Sequence, residues 1–379
     1  MNPIYPGSTL GILGSGQLGR MFALEARRMG YRVHTYSPEK DSPTGQVADL
    51  EFIGSYDDID RAREFAKGVD VITFEFENIA SAVAEALEAI VPTRPNARSL
   101  HIAQNRLREK TFLKYHKLPV TPFAKVDTEK SVIRVASELG LPFVLKTAGF
   151  GYDGKGQSLV KTIDEATSAF KSMDVDEAIA EQFIQFDFEI SIVAARGVSG
   201  EYVAYPPVHN IHRKHILDIT YAPASIDDKL AEQATQITKD VMEQLGYVGT
   251  LCIEFFVTKT GELLINEIAP RPHNSGHWTI DACVTNQFEQ QVRAICGLPL
   301  GSAEQLRPAA MVNLLGDVWQ NGEPDWAGVL VDPDVKLHLY GKKEARAGRK
   351  MGHITVTGST SDHVRTKVQN IKRILSIPE

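Results

Sequence analysis

Two glutamates on one hairpin are the first candidates for chemistry. The apolar runs Gly249–Val257 and Glu262–Glu267 flank Thr258-Lys259-Thr260-Gly261. A two-residue turn at Thr260-Gly261 pairs Lys259 with Glu262, and in that register Glu254 faces Glu267. Directly opposed Cβ atoms lie roughly 5 Å apart, where like charges destabilise a sheet. A divalent cation reverses that sign, and magnesium typically takes a couple of carboxylates and completes its octahedron with phosphates and waters. The alternative is a slipped register with both carboxylates solvated. Asn266 points to the other face of a regular strand, and reaches such a cation only through a bulge or a distorted strand end. The next segment, Ile268-Ala269-Pro270-Arg271-Pro272-His273-Asn274-Ser275-Gly276-His277, holds Arg271 stiffly between prolines. His273, Asn274 and His277 beside the hairpin read as substrate groups. A zinc site is disfavoured, with no third soft ligand nearby.

Two glycine-rich stretches suggest phosphate chemistry. Gly14-Ser15-Gly16-Gln17-Leu18-Gly19 matches GxGxxG between a strand and a helix, where free N–H groups attract anions. The dinucleotide reading also needs a carboxylate closing the second strand. That strand ends Thr35-Tyr36-Ser37-Pro38, and Glu39 lies past the proline. A ligand-free strand–helix turn and another phosphorylated ligand therefore stand beside NAD. Gly149-Phe150-Gly151-Tyr152-Asp153-Gly154-Lys155-Gly156 begins like a Walker A loop, but Gly156 replaces the magnesium-binding hydroxyl and a strand follows. What remains is a hairpin of four glycines, able to close over phosphates and exclude water, or else merely flexible. Lys146, ending Phe143-Val144-Leu145, sits at its base and suits either a phosphate or a snorkelling surface position.

The elements that must position these groups follow from periodicity. The first hundred residues alternate strand (Thr9–Leu13, Arg32–Tyr36, Val69–Phe76) and helix (Gln17–Met29, Asp60–Ala66, Ala80–Ile90), which predicts a parallel α/β sheet. After a charged helix, Arg106–Tyr115, strands cluster at Phe143–Lys146, Gln157–Lys161, Ala178–Phe183 and Phe188–Ala195, as expected of an α+β region. A tail rich in Gly, Pro and short strands follows Leu298-Pro299-Leu300. The expected organisation is an α/β domain over 1–104, an α+β domain over 105–298 and a small β-rich domain over 299–379. Hydrophobic residues make up 43% and charged residues 23%, an ordinary globular balance, over 379 residues. Lys+Arg of 41 against Asp+Glu of 48 gives −7, which argues against a nucleic-acid partner. Cys252, Cys283 and Cys296 form no CxxC, and no apolar run approaches membrane-spanning length or the form of a signal peptide. A cytoplasmic chain with no membrane partner is expected.

Taken in order, Lys146, the glycine loop, Glu181-Gln182-Phe183-Ile184, Glu189, Glu254 and Asn266-Glu267 resemble the ATP-grasp ligases across residues 106–296. GSGQLGRM, TFEFEN, GFGYDGKGQ, NEIAPRPHNSGH and GRKMGHIT are more closely similar to the N5-carboxyaminoimidazole ribonucleotide synthetase family, ATP-dependent carboxylases of purine (IMP) synthesis. The resemblance implies that Arg106 and Lys146 hold ATP phosphates while Gly151, Tyr152, Asp153, Gly154, Lys155, Gly156 and Gln157 close over them. It implies that Glu181, Gln182, Phe183 and Ile184 form the hinge beside adenine, that Glu189 takes the ribose hydroxyls, and that His212 lies near the nucleotide. Glu254 and Glu267, with Asn266, would hold Mg2+. The N-terminal motif would bind a ribonucleotide, with Gly16, Gln17, Leu18 and Glu75 facing 5-aminoimidazole ribonucleotide (AIR). Arg271, His273 and Asn274 would face bicarbonate and AIR. Tyr152 and Lys155 would join them at the reacting groups, and Lys342 and Arg349 would meet the AIR phosphate. The family also implies a homodimer without NAD or biotin. Rival readings are another ATP-grasp ligase, such as a formate-dependent glycinamide ribonucleotide transformylase, a nicotinamide oxidoreductase, and a non-catalytic nucleotide-binding module.

Overall fold

The computed structural model describes residues 2–149 and 156–378, so Gly151, Tyr152, Asp153, Gly154 and Lys155 lie outside the described residues. The N-terminal region builds a parallel sheet in the spatial order Leu50–Ile53, Arg32–Ser37, Thr9–Leu13, Val71–Phe74. Leu10, Ile12, Val71 and Ile72 are fully buried, as parallel strands covered on both faces require. The chain leaves the central strand to one side first and to the other later. The crevice at the carboxyl ends of Thr9–Leu13 and Val71–Phe74 is therefore a switch point, where α/β sheets place ligands. The helix Gln17–Arg28 starts there, burying Leu18, Met21, Phe22 and Ala26 and ending in Arg27 and Arg28, which suit its negative end.

Two antiparallel sheets follow. The smaller runs Phe123–Val126, Ala178–Gln182, Phe143–Thr147, Gln157–Val160. Helices Glu129–Leu139 and Ile163–Met173 pack on it through Val132, Val135 and Ala166. The larger runs Leu263–Ala269, Gly249–Thr258, Phe186–Arg196, Val208–Arg213, Ile216–Ala222, then Ala309–Leu315, Lys350–Thr357 and Val335–Leu339. It thus continues past residue 299, because Ile216–Ala222 pairs with Ala309–Leu315. The C-terminal region also carries a helix, Ser361–Ile374, absent from the expected series of short strands. Thr360 caps it, and Val364, Val368, Ile371 and Leu375 repeat at three and four residues against Val312, Ile354 and Val356.

Helix Gln287–Cys296 ties the halves together. Phe288, Val292 and Ile295 pack among Leu10, Phe22 and Val33. Beside them Gln291 accepts from the Thr250 N–H and donates to Thr73 Oγ1 at 2.7 Å. A buried amide satisfied from both sheets fixes their relative placement, since losing either partner strands a polar group away from water.

Candidate active site

A cleft of about 720 Å³ draws its walls from both antiparallel sheets and from the N-terminal crevice. Glu254 and Glu267 lie directly opposite each other within it. The route to that pairing differs from the one expected. The Thr258 N–H donates to the Glu262 carbonyl, so Glu262 faces Thr258, not Lys259, and the turn is one residue longer. Phe255 pairs with Ile265 and Glu254 with Glu267, which leaves Asn266 as the extra residue of a β-bulge. The bulge restores the register that the longer turn loses, and it puts Asn266 on the cleft wall with both carboxylates. Burial, then Glu267, pushes the Glu254 carboxyl up to about 7, against the pull of His212. At an effective dielectric near 20, two charges ~5 Å apart repel by about 3 kcal/mol.

Beneath the bulge lies a charge cluster that the motifs did not reveal. Lys110 Nζ, 1% exposed, donates to the carbonyls of Ile265 at 3.1 Å and Asn266 at 2.7 Å. Glu109 accepts the Ile268 N–H at 3.1 Å. Burial drives both toward neutrality, Glu109 up to about 8 and Lys110 down. The signal was present in the sequence: Glu109 and Lys110 stand one helical turn before Phe112 and Leu113, on the buried face of Arg106–Tyr115. Lys146 lies 2.9 Å from Glu181 Oε2, and Lys110 lies 3.9 Å from the same oxygen. Burial opposes ionisation of Glu181, but the two lysines outweigh it and hold its carboxyl below the usual range. The Glu181 side chain therefore orients Lys146, while Gln182, Phe183 and Ile184 carry the backbone past the cleft. Arg106 and Gln157 also line it, with Arg106 Nη1 3.3 Å from the Thr147 carbonyl. Gly156 closes the base of the loop by accepting from the Thr147 N–H.

Farther along, His212 Nδ1 lies 2.7 Å from Glu189 Oε2. Burial opposes the imidazolium, but Glu189 and Glu254 overcome it and raise His212 above the ordinary histidine value. Phe186 and Phe256 stack at 4.6 Å on the same wall, an apolar platform for a flat ring.

At the other end of the cleft, Glu75 accepts from the Gly16 and Gly19 N–H groups, the latter at 2.9 Å. A protein carboxylate thus occupies the anion seat of GxGxxG. The glycines make room for it: a Cβ on Gly14 would lie 2.1 Å from Glu75 Cγ. A pyrophosphate would have to displace Glu75, so Gly16 serves the carboxylate while Gln17 and Leu18 face the cleft. Burial raises the Glu75 carboxyl even against these two donors. Two residues on, Glu77 grips Arg271 through a forked contact, Nε to Oε2 at 2.7 Å and Nη2 to Oε1 at 3.4 Å. Burial opposes ionisation of Glu77 too, yet the guanidinium wins and keeps it below the usual range. Glu77 and Asn78 were missed, although Glu75 and Glu77 alternate past the carboxyl end of a parallel strand, the position where ligands are expected.

His273 and Asn274 line the cleft between the two ends. His273 Nε2 lies 3.6 Å from Glu254 Oε1, and Nδ1 lies 2.9 Å from Ser275 Oγ. Gln287 clamps its backbone, accepting from the His273 N–H at 2.9 Å and donating to its carbonyl at 2.8 Å. Burial, followed by Arg271 and Lys350, holds His273 well below the ordinary value, so it is a neutral ring near pH 7. Lys342 and Arg349 do not line the cleft; Lys350 does, a residue the motifs left unused. Lys342 Nζ donates to the Lys350 carbonyl at 2.7 Å, and burial with Arg349 nearby lowers it to about 8. Arg349 donates to the Glu344 carbonyl at 3.0 Å.

Comparisons with known proteins bear on this arrangement. Residues 8–104 match the ribonucleotide synthetase preATP-grasp domain, 111–288 the ATP-grasp domain and 309–367 the phosphoribosylaminoimidazole carboxylase C-terminal domain. The chain is 42% identical to the N5-carboxyaminoimidazole ribonucleotide synthase of Bacillus subtilis, over 97% of this chain and 96% of that one. Among solved structures, the Staphylococcus aureus N5-carboxyaminoimidazole synthetase complexed with ADP superposes with a TM-score of 0.92 at 35% identity, covering 99% of each chain. The Aspergillus clavatus N5-carboxyaminoimidazole synthase in complex with ADP and 5-aminoimidazole ribonucleotide gives 0.89 at 29% identity, over 97% of this chain and 98% of that one.

Proposed function

The chain belongs to the N5-carboxyaminoimidazole ribonucleotide synthase family of ATP-grasp ligases, ATP-dependent carboxylases of AIR in purine biosynthesis, and we propose that its cleft works as follows. ATP lies between the two antiparallel sheets, adenine against Phe186, Phe256 and the Gln182–Ile184 backbone, ribose at Glu189 and His212, and phosphates at Arg106 and Lys146. AIR lies across the N-terminal crevice, against Gln17, Leu18 and Glu75, with its phosphate toward Lys342 and Arg349. Bicarbonate sits between them at Arg271, His273 and Asn274, with Lys350 as a further cation facing the same space. Tyr152 and Lys155 of the glycine loop complete the closed site. The observation that carries this reading is one continuous cleft reaching from Lys146, Glu254 and Glu267 to Gln17, Leu18 and Glu75.

Bicarbonate is a poor electrophile, and phosphorylation activates it. One of its oxygens attacks the γ-phosphorus of ATP, the bond to the β-phosphate oxygen breaks, and carboxyphosphate and ADP result. The exocyclic amine of AIR then attacks carboxyphosphate, or carbon dioxide released from it in place, giving N5-carboxyaminoimidazole ribonucleotide and phosphate. Lys146, oriented by Glu181, neutralises charge on the transferring group. Arg271, held rigid by Glu77, orients the bicarbonate. The opposed Glu254 and Glu267, the bulged Asn266 and the raised Glu254 carboxyl suit Mg2+, which when bound supplies further charge neutralisation at the phosphates. The closed loop excludes water. The proposed division of labour is AIR on residues 1–104, ATP and cation on 105–298, and phosphate-facing cations on 299–379. The proposed setting is a cytoplasmic homodimer; among the described residues no helix is long and apolar enough to cross a membrane.

Phosphate release assayed with each substrate omitted in turn tests the reading. Turnover should require AIR, bicarbonate and Mg-ATP together. ATP cleavage indifferent to AIR, or stimulated instead by another purine-pathway amine with formate, would replace it with a different ligase.

A further inference from the structure

His273 has a second set of contacts, behind the cleft. Ser275 Oγ, 2.9 Å from His273 Nδ1, lies 2.7 Å from Ser191 Oγ. Asn210 Nδ2 donates to Ser191 Oγ at 2.9 Å, and Thr220 Oγ1 donates to Asn210 Oδ1 at 2.9 Å. Ser191, Asn210 and Thr220 stand on three successive strands of the larger sheet, so the chain crosses it from strand to strand. All four residues are buried, Ser191, Ser275 and Thr220 completely.

The Asn210 amide, with Oδ1 toward Thr220 and Nδ2 toward Ser191, sets the direction of the links. An amide N–H donates and never accepts, so the Ser191 oxygen receives from Asn210 and its own hydrogen turns to Ser275. Ser275 Oγ has one further neighbour, Cys252 Sγ at 3.6 Å, a weaker partner than the ring nitrogen at 2.9 Å, so its hydrogen turns to Nδ1. The far end agrees independently, because the Ser275 backbone N–H also donates to Nδ1, at 3.3 Å. Two donors converge on Nδ1, and the ring proton must sit on Nε2, the nitrogen that faces Glu254 and the cleft. Burial keeps water from offering these groups other partners.

We propose that Thr220, Asn210, Ser191 and Ser275 form a positioning relay that fixes His273 in its Nε2–H form, so that the ring meets the oxyanion substrate as a hydrogen-bond donor. The relay transmits polarity and not protons, since it ends at the buried Thr220. In its kinetic consequence the inference rests on the carboxylase reading; the tautomer itself belongs to the unliganded chain.

The test pairs a spectrum with two substitutions. In the full-length ATP-free protein labelled with 15N-histidine, the His273 signals, assigned by their loss in His273→Gln, should show an unprotonated Nδ1 and a protonated Nε2. Ser191→Ala cuts the relay and should mix the two tautomers and lower kcat about tenfold, the rate equivalent of one ordinary hydrogen bond, with KM for ATP within about twofold since ATP contacts stay intact. Ser191→Thr keeps the hydroxyl while adding a methyl, and should retain the Nε2–H form and most of kcat. A merely structural serine would show the reverse order, with Ala tolerated and Thr harmful in a packed interior. A protonated Nδ1 in the parent protein, or that reversed order, overturns the proposal. If the tautomer is as stated but AIR fails to stimulate ATP cleavage, the carboxylase reading falls and the relay stands.

Discussion

The two ends of the cleft treat negative charge in opposite ways. At the N-terminal end Glu75 is matched by the two N–H groups of Gly16 and Gly19, and Glu77 is matched by Arg271. At the other end Glu254 and Glu267 face each other, and the cation sitting beneath them, Lys110, donates to backbone carbonyls. The satisfied end is a scaffold: its carboxylates hold backbone and guanidinium in place, and leave Gln17, Leu18 and Arg271 lining the cleft. The other end sets two carboxylates against each other with histidines close to Glu254, and under the proposed function a cation and phosphates would relieve that repulsion. Motif reading treats both as ligand seats; the charge balance separates them.

Substitutions should pull the two ends apart. The largest effect expected is at Glu267. Glu267→Gln should lower kcat by on the order of a thousandfold, while the melting temperature of the ligand-free protein holds or rises as a like-charge contact disappears. An unchanged rate would remove Glu267 from the metal site. Glu75→Ala should behave the other way, lowering stability in urea by about 2 kcal/mol because two helix N–H groups lose their acceptor. Glu75→Gln, which keeps an acceptor, should cost less. Equal stability in all three proteins would show that the helix end is solvated.

Smaller effects follow from protonation. Glu254 near pH 7 is part-protonated in the empty cleft. Binding of Mg-ATP should therefore release protons at pH 6.5 and fewer at pH 8.5, read as a binding heat that varies with buffer ionisation enthalpy. Glu254→Gln should abolish most of that variation. Lys342, lowered to about 8, is charged below that pH and neutral above it. KM for AIR should rise as pH passes 8, and Lys342→Met should flatten that limb at a uniformly higher KM. A KM independent of pH in the parent protein would take Lys342 away from the AIR phosphate.

Much of this site was legible because spacing carries geometry. The parallel N-terminal sheet followed from alternating periods, and the opposition of Glu254 to Glu267 from counting across a turn. That count was right through two compensating features, a turn one residue longer than assumed and a bulge at Asn266. Neither leaves a local mark in residue type, because Lys110 stabilises the bulge from a helix more than 150 residues away in sequence. Glu109 and Lys110 passed simply as part of a charged helix, because charge outweighed periodicity in reading Arg106–Tyr115. Lys350 was overlooked beside Lys342 and Arg349: of the three it alone lies on the strand Lys350–Thr357 and lines the cleft, and the boundary of that strand has no mark in a run of neighbouring cations. The relay to His273 joins serine, asparagine and threonine from separate strands, a pattern with no signature along the chain.

The strand Ala309–Leu315 has a consequence for anyone dissecting this molecule. It seals the edge of Ile216–Ala222, although the boundaries read from sequence assign the two to different domains. A polypeptide stopped at residue 298 would keep the residues proposed to meet ATP but expose a row of unpaired N–H and C=O groups along the strand that carries Leu217 and Ile219, as a template for a second copy. Such a fragment should self-associate edge to edge, so subdividing the chain by its domain sequence would yield an aggregate and not a minimal ATPase.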